Sequence, residues 1–127
     1  MLEAVHHIAI ISGDYQRSKT FYTDILGLNI IREVYREERK SYKLDLSLNG
    51  QYIIELFSFP DAPPRPSRPE AQGLRHLAFS VSDLAAAIAR LTAKGVVCEP
   101  VRTDPHTGKK FSFFADPDGL PLELYEL

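Results

Sequence analysis

Apolar and polar positions fall into the same order twice along this chain. Residues 5–14, VHHIAIISGD, resemble residues 74–83, LRHLAFSVSD. β-Branched and apolar residues run through both, which predicts strands over Val5–Ser12 and Leu74–Ser82. Asp14 and Asp83 follow as N-cap residues, and the spacing then turns helical. Ser18, Phe21, Tyr22 and Ile25 carry it in the first half, and Leu84, Ala87, Ile88 and Leu91 in the second. Gly27 and Gly95 stand where a helix ends in left-handed geometry. Further strands are predicted over Leu28–Tyr35, Tyr42–Leu48 and Tyr52–Phe57, the last two joined by an Asn49-Gly50 hairpin turn. In the second half they cover Val96–Val101, Lys110–Ala115 and Pro121–Leu127, with Asp116-Pro117-Asp118-Gly119 as the last turn.

The register of this repeat is tight. His7 and His76 are 69 positions apart, as are Asp14 and Asp83, and Gly50 and Gly119. Glu55 in IIEL and Glu123 in PLEL are 68 apart, as are Gly27 and Gly95, so one small deletion accounts for the drift. A duplicated module explains this; chance does not. The expected fold is α+β, built of two tandem βαβββ modules. Residues 1–127 make a single domain, with module one at about 4–58 and module two at about 74–127. Between them, residues 59–73 hold five prolines and are read as a surface linker.

Composition narrows the setting. At 44% hydrophobic and 25% charged, the chain has the make-up of a soluble domain with a core that needs no disulfide. Cys98 is the only cysteine, which suits a reducing compartment. Met1–Ala4 runs straight into a strand-like segment without a leader, and no apolar run approaches the ~20 residues of a membrane span. A net charge of −2 gives no argument for nucleic acid or an anionic membrane. A cytoplasmic protein is expected, its partners a small-molecule substrate and a second copy of itself in a homodimer.

Four residues carry the chemistry. In each first strand, Ile8 and Ile10, or Leu77 and Phe79, share one face by alternation. His7 and His76 then belong to the other face, beside the small residues Ala9 and Ala78. Glu55 and Glu123 each interrupt an apolar strand, and a buried carboxylate needs a cation or several donors. If the two modules pack about a pseudo-twofold axis, two imidazoles and two carboxylates converge. That set suits one divalent ion, such as Ni, Zn, Co, Mn or Fe(II), in an open catalytic site. His6 is expected on the face opposite His7, and His106 in a solvated loop.

The segments HHIAI at 6–10, FY..ILG at 21–27, GLRHLAFSV at 73–81 and DPDGLPLEL at 116–124 resemble the vicinal-oxygen-chelate superfamily, which includes glyoxalase I. The resemblance spans essentially the whole chain and implies the glyoxalase/bleomycin-resistance/dioxygenase fold, in which the two modules form a cupped mixed sheet around a metal site. His7, His76 and Glu123 match ligands common in that superfamily, and a Glu at position 55 resembles glyoxalase I in particular. It implies a metal-dependent lyase or isomerase in which the metal holds vicinal oxygens while Glu123 or Glu55 moves a proton between adjacent carbons. Bacterial glyoxalase I has a basic residue, serving glutathione, four positions after its first ligand; here that position is Ile11. Arg36, Lys43, Arg65 and Arg68 offer other anion contacts, and Phe57 and Tyr125 are candidate cavity walls. The superfamily also holds epimerases, dioxygenases, thiol transferases and drug-binding proteins, so the substrate stays open.

Overall fold

A computed structural model describes all 127 residues, Met1–Leu127. The chain divides into two compact units, Met1–Pro64 and Arg65–Leu127, separated inside the proline-rich segment. Unit one contains β1 (Ile8–Ser12), α1 (Tyr15–Thr20), β2 (Asn29–Arg36), β3 (Ser41–Leu48) and β4 (Gln51–Ser58). Unit two contains β5 (Leu77–Val81), α2 (Leu84–Ala93), β6 (Arg102–Thr103), β7 (Lys110–Ala115) and β8 (Pro121–Glu126). Both are βαβββ modules. Each folds into a four-stranded mixed sheet, ordered β1-β4-β3-β2 or β5-β8-β7-β6, with its first strand parallel to its last.

In unit one the Asp14 carboxylate accepts from Arg17 N at 3.1 Å and starts α1. The helix then widens into a π turn over Phe21–Ile25, which buries Phe21 and Tyr22 side by side. Alternation in β3 and β4 sends Leu44, Leu46, Ile54 and Leu56 into the core, all fully buried. Each such side chain stabilises the unit by about 1.5–3 kcal/mol. The intervening residues Lys43, Asp45, Glu55 and Phe57 take the other face of the sheet. In unit two, Asp83 accepts from Ala86 N at 3.0 Å, and the Leu84 N–H donates to Glu126 at 2.8 Å. Leu84 and Leu91 of α2 are buried, as are Phe114, Leu122 and Leu124 of β7 and β8. Asp116 Oδ1 accepts from the N–H groups of Asp118 and Leu120, both at 2.9 Å, which closes the turn that launches β8.

The structure corrects three boundaries. The first strand of each unit starts at Ile8 and Leu77, so His7 and His76 sit one residue before the strands instead of within them. β-Branched residues at Val5 do not make a strand without a neighbour to pair with, and pairing to β4 begins at Ile8 opposite Ile54. Val96–Val101 is not a regular strand; the ladder there is only Arg102–Thr103 against Phe111 and Lys110. Pro100 has no N–H to give, and the segment touches β7 through Glu99 N to Phe113 O at 2.8 Å and Ser112 Oγ to Glu99 O at 2.7 Å.

Candidate functional site

Strand register builds a row across unit one. Ala9 lies opposite Glu55, Glu55 opposite Asp45, and Asp45 opposite Arg32. His7, just ahead of β1, brings Nε2 to 3.6 Å from Glu55 Oε1; the Glu55 side chain is 16% exposed and that of His7 34%. Lys43 Nζ bridges two carboxylates, at 2.7 and 2.9 Å from Asp45 and 3.3 Å from Glu55. The Tyr52 hydroxyl donates to Asp45 Oδ1 at 2.7 Å and to Glu55 Oε2 at 3.4 Å, and its ring stacks on His7 at 4.9 Å. Burial alone would raise the pKa of Asp45, which is 1% exposed, but its bonds from Lys43 and Tyr52 more than offset this and hold it below the usual carboxylate range. Lys43 is raised, chiefly by its bond to Asp45, and Tyr52 is raised first by burial and then by Asp45. The result is a fixed charge network whose open end is Glu55 and His7.

His6 is not on the opposite face. Strand alternation does not govern a residue outside the strand, and His6 Nδ1 lies 2.8 Å from His7 Nδ1, its ring against Tyr52.

Unit two has the same skeleton with a different lining. Ala78 lies opposite Glu123, and Glu123 opposite Phe113. His76 Nε2 is 2.9 Å from Glu123 Oε2. Phe113 meets the His76 ring edge-on at 5.1 Å. Arg102 lies over both Phe111 and Phe113, at 5.1 and 5.4 Å from the ring centroids. Phe111 stacks on Tyr125, whose hydroxyl meets Thr107 and donates to Asp104 at 3.0 Å. Asp104 is held low, chiefly by the His106 backbone N–H, on a loop where His106 itself is exposed.

The four residues singled out by sequence are thus brought together in pairs, His7 with Glu55 and His76 with Glu123. Neither unit alone gathers three or more His, Cys, Asp or Glu side chains into a ligating cluster. Ile11 is 55% exposed beyond Ala9 on β1. Asp45, Tyr52 and Phe113 went unnoticed in the sequence. Lys43-x-Asp45 between the buried leucines of β3 was the one signal available for the first of them.

The model of the Glyoxalase/Bleomycin resistance protein/Dioxygenase superfamily matches residues 4–124. The chain is 67% identical to the uncharacterized protein YaeR of Escherichia coli over 98% of this chain and 97% of that one. It is 50% identical to a glyoxalase family protein from Enterococcus faecalis of known crystal structure, with a TM-score of 0.92 and 98% of each chain covered. A more distant relative is the lactoylglutathione lyase of Salmonella typhimurium, 31% identical over 94% of this chain and 90% of that one. Two βαβββ modules, the paired His and Glu and these matches lead to one statement: the chain belongs to the glyoxalase/bleomycin resistance protein/dioxygenase superfamily.

Proposed function

We propose that this protein is a divalent-metal-dependent, glyoxalase I-like lyase or isomerase acting on a small oxygenated substrate. His7, Glu55, His76 and Glu123 together hold one divalent ion, such as nickel, zinc, cobalt or manganese. One observation carries the reading: each unit sets a His Nε2 against a strand carboxylate at the same place in its register. Two imidazole nitrogens and two carboxylates are a donor set that fits such an ion. When bound, the ion supplies Lewis acidity toward the substrate's vicinal oxygens and lowers the cost of a developing oxyanion.

The chain's own residues do the rest. A glutamate takes the proton from one carbon and returns it to its neighbour, so the reaction is an isomerisation without net loss. Glu55 is already engaged by Lys43 and Tyr52, so Glu123, facing His76, is ranked first as that base. The aromatic groups Phe111, Phe113 and Tyr125 exclude water on that side.

The distant likeness to a lactoylglutathione lyase supports the reaction class. We take the protein as cytoplasmic, which its single cysteine suits; no helix is long and apolar enough to cross a membrane. A homodimer is supported by Ile30, Ile31, Val34 and Tyr35, exposed on the edge strand β2. The test is to purify the protein without added metal and reload it in turn with nickel, cobalt, manganese and zinc. Deuterium exchange at the α-carbon of small α-hydroxycarbonyl compounds is then followed by NMR. Metal-dependent exchange supports the reading, and its absence with all four metals removes it.

A further inference from the structure

On the Glu55 face of unit one, the cations are matched with acids, except at one position. Arg32 reaches Asp45 at 3.4 Å, and Lys43 is shared between Asp45 and Glu55. Arg36, the last residue of β2, has no acidic partner within ion-pair distance. Its guanidinium carbon lies 5.2 Å from the centroid of the Phe57 ring. Its Nε and Nη2 atoms are shut off from solvent and have no hydrogen-bond partner. Those two atoms form one edge of the planar group, the fork that matches the two oxygens of a carboxylate or phosphate. A desolvated, unpartnered fork is costly, and an oxyanion is what relieves it.

Its position says where that oxyanion would be. Phe57 follows Glu55 by two residues on β4, so it is on the same face and roughly 7 Å further along the strand. Ile11 of β1 and Lys43 of β3 flank Phe57 in the sheet. We infer that Arg36 is an anion-recognition residue, and that the substrate carries a carboxylate or phosphate in addition to its vicinal oxygens. This rests on the reading of Glu55 as part of the reacting centre.

The test is made on metal-free protein in EDTA, so that it stands even if the metal reading fails. Protein labelled with ¹⁵N-arginine is titrated with succinate, with methyl phosphate and with the neutral control succinamide. The Arg36 Nε–H resonance, assigned by its loss in Arg36→Lys, should move saturably with an anion and stay still with succinamide. Movement with succinate identifies a carboxylate site, and movement with methyl phosphate alone a phosphate site; either supports the inference. Arg36→Gln should weaken that binding about 10- to 100-fold, the span of one charge-assisted contact, and Arg36→Lys by less. No movement with either anion, or unchanged affinity in Arg36→Gln, overturns it. Because the wild-type resonance is the primary readout, a variant that folds poorly leaves the test intact.

Discussion

The two units share a backbone plan and differ in what surrounds their carboxylates. Beside Glu55 stand Asp45, Lys43 and Tyr52, a network of charges locked by bonds of 2.7 to 3.4 Å. At the matching register positions beside Glu123 stand Phe113 and Phe111, with Arg102 laid across both rings. One glutamate is held by ionic bonds, the other is walled by aromatic carbon. Duplication has kept the His–Glu pair and let everything around it diverge. In the proposed function the pair is the common element, and the linings are where the two carboxylates differ.

Three experiments probe that difference. The largest effect is expected for Glu123→Gln. An amide can still offer an oxygen to a metal but cannot take a proton, so activity should fall about 10²- to 10⁴-fold while metal content is mostly kept. Full activity would move the base to Glu55 and reverse the proposed division of tasks. Next is Lys43→Met, which leaves the buried Asp45 short of its nearest cation. We expect a loss of about 3 kcal/mol in urea unfolding. Phe111→Leu, at the corresponding position of unit two, should cost only about 1 kcal/mol. Equal costs would show that the two linings do not differ energetically. Smaller in practical effect is the response to glutathione. Ile11 offers no charge to a glutathione carboxylate, so kcat/KM for the methylglyoxal–glutathione adduct should stay below about 10⁴ M⁻¹s⁻¹ with every metal.

A pH effect of the smallest size separates the fold from the site. Glu33 is held below its ordinary pKa, first by its bond from Lys19 and then by that from Tyr15. A carboxylate lowered on folding adds stability above its unfolded pKa of about 4.3 and loses it as pH falls through the folded value. Unfolding curves should therefore show Glu33→Gln catching up with wild type below about pH 4. A constant gap down to pH 2 would contradict this.

Much of this is legible in the sequence. The duplication, the N-cap aspartates and the strands β3 and β4 follow from the pattern of apolar, polar and turn residues, because burial on one face imposes it. The His and Glu stood out because they broke apolar segments in phase. Strand ends were misread at Val5 and Val96 because a residue's propensity does not reveal whether a neighbouring strand is there to pair with it. His6 was misplaced for the same reason. Asp45 and Tyr52 were missed because their roles depend on which residues face each other across strands, which a linear pattern does not encode. The unmatched fork of Arg36 was visible only once its neighbours had been paired off.

The central claim is that the two His–Glu pairs serve a single ion. The most direct measurement is metal stoichiometry by mass spectrometry on the purified protein and on His7→Ala and His76→Ala, after equilibration with nickel or zinc and removal of excess. The account predicts one ion per chain in the wild type, and its loss in both variants. Retention of a full ion in either variant, or none bound by the wild type, would contradict it.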